Sequence, residues 1–267
     1  MQDEVNRRTW SDAASQRWLE KHDDFTDPGE RAGFEYVRGR ADSRPILDLG
    51  VGMGRTIPMF APLTTEYRAI DYLPSMVEAC RRRYPDARVD LGDARNLAGV
   101  ADGHFGMVAF SFNGIDAVSH SDRRLVLREV HRVLGPGGLF FFSTLNLDGP
   151  AYRERPWHIS IDFTPNPIRL AARAAWAARR VGRDMVNWLR IRRATERGPG
   201  YAVAPLSAHG FNILAHYTSL QRQLEELVDA GLDRDALVYN SQDGARVSPL
   251  DDTARIEWFH LIARRSN

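Results

Sequence analysis

The stretch ILDLGVGMGRTIPMF, residues 46–60, sets Gly50, Gly52 and Gly54 between a short apolar strand and a helix. Glycine at such a turn takes positive φ and lets the main chain pass close to a ligand, while the helix start beyond it offers unpaired N–H groups. The dinucleotide fingerprint G-x-G-x-x-G fails, because Arg55 and Ile57 stand where its third glycine belongs. The Gly-Lys-Ser/Thr end of a phosphate loop is missing as well. Hydride transfer and nucleotide hydrolysis lose ground accordingly. Three aspartates accompany the loop: Asp48 within the strand, Asp71 at the end of the next, and Asp93 in LGDARNL after the third. Asp71 is suited to accept from both hydroxyls of a ribose, and Tyr72 beside it to pack on the sugar or base. Asp93 can accept from an exocyclic adenine amine while the Ala94 N–H donates to a ring nitrogen. Singly, each aspartate also reads as a helix cap or loop residue. Jointly, at three successive strand ends, they point to an adenosine-bearing ligand.

A second group of residues could move protons. His120, Tyr152, His158, His209, His216 and Tyr217 all lie beyond the glycine loop, and histidine is the side chain that titrates near neutrality. His209 and His216 flank GFNILA just before a late helix, and they are preferred over His158 as general bases, with Tyr217 beside them. Each also reads as a histidine with a structural hydrogen bond. Asn113 and Asp116 follow the fourth strand, where substrate-facing groups are often presented. Asn113 is otherwise a turn residue before Gly114, and Asp116 a helix cap. Asp116 could balance the charge of an amine. No metal is expected: the histidines are scattered, H-E-x-x-H is absent, and Cys80 is the single cysteine.

These residues need a frame. Apolar strands at 46–49, 68–71, 89–91, 105–112 and 139–143 alternate with helical stretches at 55–61, 74–84 and 121–133, which argues for a parallel sheet covered on both faces. Before them, residues 7–22 read as a helix with Trp10, Ala14 and Trp18 on one face, either a lid over the cleft or a packing surface. A second helix starts at Pro28, capped by Thr26 or Asp27, and runs to about Arg40. After Leu145 the rhythm stops. A Pro-rich piece and a long arginine-rich helix, 167–195, precede a helix at 218–230 and two last strands at 238–240 and 258–263. The resulting division is 1–42 as N-terminal helices and lid, 43–146 as ligand-binding core, 147–215 as an inserted cap, and 216–267 as the end of the core.

Composition narrows the class. The 267 residues are 43% hydrophobic and 27% charged, enough for a sizeable core. Lys and Arg number 36 against 35 Asp and Glu, net +1, so no nucleic-acid partner is expected. The arginines of 167–195 read either as a solvated helix face or as a patch for an acidic group. No run approaches the roughly 20 apolar residues of a membrane span, and MQDEVNRRTW lacks the apolar core of a signal peptide. A cytoplasmic protein with no membrane partner is the expectation.

The pieces LDLGVGMGR, AIDYLPSMVEACRRR, GDARNL, FGMVAFSFNGID and LREVHRVLGPGGLFFFSTLN resemble the class I, Rossmann-like S-adenosylmethionine-dependent methyltransferases. The likeness is close over 46–146 and looser over 216–264. It implies an α/β fold with a mostly parallel seven-stranded sheet, helices on both faces, an antiparallel last strand at Trp258–Arg264 and a helical cap after the fifth strand. It implies S-adenosyl-L-methionine as cofactor. Asp48, Gly50, Gly52 and Gly54 would hold its methionyl part, with Arg55 facing its carboxylate or making a surface ion pair. Asp71 and Tyr72 would hold the ribose, Asp93 and Ala94 the adenine, and Ser111, Phe112 and Asn113 would pass the sulfonium. The acceptor is expected to be a small molecule bearing a nucleophilic N, O or C atom, in the manner of enzymes that modify amines or amino-acid-derived natural products. An RNA or protein acceptor, with the basic helix as its footprint, and a non-catalytic cofactor-binding protein are the alternatives. Monomer and homodimer stay equally open.

Overall fold

A computed structural model describes residues 2–12, 15, 17, 19, 25–159 and 161–266. Its centre is the apolar run β1 (Ile46–Leu49), buried along its whole length and paired in parallel with β2 (Tyr67–Asp71) on one side and β4 (Phe105–Phe110) on the other. Strands buried on both faces must be apolar throughout, as ILDL and FGMVAF nearly are. Next to β2 lies β3 (Arg88–Leu91), and next to β4 lies β5 (Leu134–Asn146). Antiparallel to β5 runs β10 (Trp258–Arg264), from Trp258 opposite Leu145 to Arg264 opposite Leu139, and β10 in turn pairs antiparallel with β9 (Leu237–Asn240). The seven-stranded order is therefore β3-β2-β1-β4-β5-β10-β9, with one reversed strand.

Alternation along the strands sorts the core. Leu47, Phe140 and Phe142 face α5 (His120–Val133) and α8 (Leu220–Asp229) through Val126, Leu127 and Leu227. Ile46, Met107 and Phe141 face α2 (Pro28–Arg38) and α3 (Ile57–Phe60) through Val37 and Phe60. On the same sheet, α4 (Pro74–Arg83) covers β1–β3 through Val77 and Cys80. Pro28 opens α2 and the Asp27 carboxylate accepts from the Glu30 N–H, so Asp27, not Thr26, is the cap.

Two expectations are corrected. The first helix, α1, starts earlier and spans Gln2–Trp10, with a turn at Ser11 and Asp12 where the 7–22 reading runs on; residues 15, 17 and 19 are again helical, and Ala14 and Trp18 lie outside the described residues. The insertion after β5 is not all helical. It holds α6 (Pro150–Arg153) and the long α7 (Pro167–Ile191), then three strands, β6 (Glu196–Gly198), β7 (Tyr201–Pro205) and β8 (Leu214–Thr218). β8 pairs with the last two residues of β5, Leu145 and Asn146, and carries β7 and β6 beyond it. The sheet has ten strands and forks at the end of β5. Among the described residues, no helix is long and apolar enough to cross a membrane.

Candidate functional site

β1 is the strand at which the chain order reverses, so the helices on either side of it leave a crevice at its carboxyl end. The glycine loop occupies that crevice. Gly50 has φ +61° and a Cβ there would stand 2.7 Å from the Phe110 ring. Gly52, at φ +55°, faces open space, with nothing within 4 Å of where its Cβ would be. Asp71 fastens the loop: one carboxylate oxygen accepts from the Gly52 N–H and the other from the Leu73 N–H, both at 2.9 Å. Burial raises its pKa against those two donors.

A cleft of about 170 Å³ runs along the strand ends, lined by Gly50, Gly52, Asp71, Tyr72, Asp93 and Ala94 and closed by Ser111, Phe112 and Asn113. Ile70, Leu73, Met76 and Val118 add apolar wall, and Asp3 and Arg95 line it as well. Burial works against ionisation of Asp93, but Arg95, bonded to both of its oxygens, holds the carboxyl below its usual range. The cleft opens into a nook of about 80 Å³ beside the loop, walled by Asp48, Gly50, Gly52, Arg55, Thr56 and Ser111. Arg55 donates to both oxygens of Glu30 at 2.7 Å and to Ser111 Oγ at 2.7 Å. Its charge is thus balanced in place, and Glu30, though buried, is held ionised by it.

Asp48 and Gly54 are engaged within the protein, Asp48 while also lining the nook. Asp48 turns its carboxylate into the core, accepting from Thr56 Oγ1 at 2.5 Å and Tyr67 Oη at 2.7 Å, and burial pushes it up to about 6. Gly54 lies against Tyr84 and Cys80, where a Cβ would collide with the tyrosine ring at 2.5 Å, and it lines neither space.

Beyond Phe112 a larger cavity of about 660 Å³ opens beneath the insertion. Trp10, Phe112, Asn113 and Ala117 belong to both spaces. The turn that divides them is strained: Phe112 and Asn113 both have left-handed φ, 53° and 57°. Such backbone concentrates at functional turns and persists only when surroundings enforce it. Here Ser143 Oγ accepts from the Asn113 N–H at 2.7 Å. The Asn113 Oδ1 is buried and has no partner.

α1 forms a wall of both spaces and is tied down by polar side chains one or two turns apart. Asn6 Nδ2 donates to the Ala117 and Leu214 carbonyls at 2.8 Å, Gln2 Nε2 to Val118 O and Leu214 O, and Thr9 Oγ1 to Asn212 O. Asp3 pairs with Arg95, which connects the helix to Asp93. Arg7 lies over the Tyr72 ring at 4.6 Å.

The proton-moving candidates divide. His209 and His158 line the large cavity, His209 edge-on to Trp10 at 4.6 Å. His216 and Tyr217 stand elsewhere, because β8 is a strand and not the start of a helix. His216 is fully buried against His120, 3.1 Å between Nε2 and Nδ1, and burial with the nearby Arg123 and His120 charges keeps it neutral. Tyr217 is buried beside Leu145 and Tyr152 below the cavity wall. Asp116 reaches the cavity wall but is committed to Arg123 at 2.5 Å, Thr144 Oγ1 and the Leu145 N–H, so it does not await an amine.

Sequence reasoning missed Glu30, Glu154 and Glu257. Glu154 and Glu257 both line the cavity, and among the described residues neither has an ion pair. Burial and the charge of Glu154 raise the pKa of Glu257. By contrast Arg180 and Arg183, on the same wall, face Asp184 at 3.6 and 2.8 Å, and Arg155 donates to the Tyr152 and Glu154 carbonyls. Among the described residues, Glu154 and Glu257 are thus the carboxylates of this wall that no arginine pairs with, while Asp116 is held by Arg123 and Asp184 by Arg180 and Arg183. Trp10, Phe25, Phe112, Trp176 and Trp258 supply ring surfaces around it.

Residues 46–138 match a family described as a methyltransferase domain. A ubiquinone biosynthesis O-methyltransferase of Xanthomonas oryzae pv. oryzae is 30% identical over 126 residues, 45% of this chain and 51% of that protein. The chain spans about half the length, or less, of the curated relatives it matches. Among solved structures, a possible histamine N-methyltransferase from Thermotoga maritima superposes with TM-score 0.57 at 15% identity, over 98% of this chain and 99% of that one. The CcbJ methyltransferase from Streptomyces caelestis does so with TM-score 0.55 at 17% identity, over 92% of each chain.

Proposed function

We propose, from the premise that this chain has the class I, Rossmann-like S-adenosylmethionine-dependent methyltransferase fold, that it moves the cofactor's methyl group to a small metabolite seated in the 660 Å³ cavity. The observation that carries this reading is the shared wall: the strand-end cleft and the larger cavity meet at Phe112 and Asn113.

The residues present fit the cofactor. Gly52 leaves open space where any side chain would intrude. Asp71, held by two backbone donors, keeps lone pairs for ribose hydroxyls. Asp93 and the Ala94 N–H offer the acceptor and donor that adenine needs, between the apolar walls of Leu73, Met76 and Val118. The nook beside Arg55 and Glu30 suits a zwitterionic amino-acid tail, since the ion pair at its wall is itself neutral overall. Bound there, the cofactor supplies an electrophilic methyl on a sulfonium, open to in-line displacement. What this chain contributes is alignment: Asn113, with its Oδ1 unpartnered at the junction, orients the acceptor's N–H or O–H, and α1 with Trp10 excludes water.

The acceptor atom favoured is an amine nitrogen. A cationic amine is attracted by the unpaired carboxylates Glu154 and Glu257 and by the tryptophan faces around them. Glu257, with its raised pKa, then takes the proton that must leave before nitrogen can attack. His209 is the second base within the same cavity. The test is release of S-adenosylhomocysteine against a panel of arylalkyl amines, the matching phenols and alcohols, and the matching carboxylic acids. Turnover concentrated on the amines, with the acid limb of the kcat/KM profile removed by Glu257→Gln, is expected. Turnover confined to neutral or anionic acceptors would overturn the amine assignment, and no turnover on any class would overturn the reading as a small-molecule enzyme.

A further inference from the structure

The helix α7 does not pack like the other long helices of the molecule. Over 25 residues it buries only Ala177, Asp184 and Ile191, a single line spaced seven apart. Its second half is fastened to the loop before β8 through Asn187, whose side chain donates to the Gly210 carbonyl, and through Asp184 with its two arginines. Its first half touches little: from Pro167 to Trp176 every residue except Leu170 is exposed.

At 3.6 residues per turn, α7 separates into two arcs on either side of the buried line. One carries Arg169, Arg173, Arg179, Arg180, Arg183 and Arg190. The other carries Ala171, Ala175, Ala178, Val186 and Leu189, with Ile168 at the border. Both arcs face solvent: Ile168 is 80% exposed, Trp176 66% and Val186 64%. The segment leading into the helix continues the pattern, with Trp157, Ile159 and Ile161 exposed and Phe163 82% exposed. From 157 to 193 the chain holds eight arginines and two aspartates, whereas the rest of it carries more acids than bases. Apolar surface and positive charge are thus concentrated together on one projecting element.

We infer that α7 and the 157–163 segment form a docking surface for an anionic lipid bilayer, lying in the interface plane. A basic arc beside an apolar arc, with tryptophan and phenylalanine at the rim, is what an in-plane helix requires. The arginines meet lipid phosphates while their stems and the Ile168–Val186–Leu189 side enter the acyl boundary. The arginines also exclude it from spanning. A nucleic acid would use the arginines but leaves the aliphatic arc in water, and a second copy of this chain would bring the same arginines face to face. From sequence alone no membrane partner is expected; the exposure of the apolar arc changes that. The inference does not depend on the proposed reaction.

The test is partitioning of the full chain onto vesicles of phosphatidylcholine alone and of phosphatidylcholine with an equal amount of phosphatidylglycerol, read by sedimentation and by tryptophan quenching with brominated lipid. Binding to the anionic vesicles only, with quenching, is expected. The variant Arg169→Ser/Arg173→Ser/Arg179→Ser should weaken partitioning on the order of 100-fold, and Phe163→Ser/Ile168→Ser should abolish quenching. All five sites are exposed and none lines either space, so thermal stability and cofactor binding should stay at wild-type values. Three results would each overturn the inference: equal or absent binding to both vesicles; concentration-dependent dimers in lipid-free buffer that the Phe163→Ser/Ile168→Ser variant abolishes; or tighter binding to single-stranded or duplex RNA than to anionic vesicles.

Discussion

The strand-end cleft and the cavity beyond it share four residues and are assembled by different means. The cleft is made of positions that the sheet itself determines: Gly50 and Gly52 after β1, Asp71 closing β2, Asp93 after β3, Ser111 to Asn113 after β4. Each lies where a parallel strand must stop, so strand end and cleft lining come from the same few residues. The cavity instead collects side chains from α1, the piece after α6, α7, the loop before β8 and the residues entering β10. These come from segments distant in sequence, brought together by the pairing of β10 and β8 with β5 rather than by successive strand ends. A scaffold can therefore keep its strand-end cleft while the cavity beyond it is rewritten in segments outside the parallel strands.

The largest effect is expected from Asp71→Ala, which removes a charged acceptor for the ribose and unties Gly52. Calorimetric titration with S-adenosylhomocysteine should show an affinity loss of about 100-fold or more. A loss under tenfold would mean that the cleft does not recognise its ligand through strand ends. Gly50→Ala should destabilise the chain by about 2–4 kcal/mol in urea unfolding, since both positive φ and the 2.7 Å approach to Phe110 forbid a Cβ.

Asp48 gives a pH signature. Its folded pKa, about 6, lies above the ordinary 3.8, so its share of stability is complete below the lower value and is lost as pH rises through the upper one. The wild type should lose up to about 3 kcal/mol relative to Asp48→Asn between those limits, read as a difference in the slope of stability against pH. On the cavity side, Glu257→Gln should lower kcat/KM for an amine by about tenfold and leave cofactor affinity unchanged. His209→Ala should cost only a few-fold if Glu257 takes the proton. A loss of about a thousandfold would transfer that role to the histidine and sharpen the assignment.

The same contrast explains how far residues alone could be read. Gly50, Gly52, Asp71 and Asp93 were legible because a glycine turn and an acid at each strand end leave a regular spacing. The seven strands followed from apolar runs with helices between them. The fork was not legible: TERGPGYAVAP has two prolines and two glycines where β6 and β7 form, and those strands exist because β8 offers an edge to pair with. His216 was misplaced for the same reason, since pairing of β8 with β5 turns it toward His120 instead of the cavity. Glu154 and Glu257 are a hundred residues apart, and only the Leu145–Trp258 register of β5 and β10 brings them to one wall. Arg55 showed no sign of its partner because Glu30 reads as an ordinary first-turn acid of α2.

The way α1 is fastened has a thermal consequence. Its buried residues are Gln2, Asn6 and Thr9, and its apolar contribution is little more than Val5 and Trp10. Lifting such a helix exposes amides and carbonyls more than hydrocarbon, and the heat-capacity change of opening should accordingly be close to zero or slightly negative. The rest of the chain, with its large apolar core, gains and loses stability along a curve; this door should not follow that curve. Cooling that weakens the core leaves the door closed, whereas urea, which solvates peptide groups directly, opens it well before the sheet gives way.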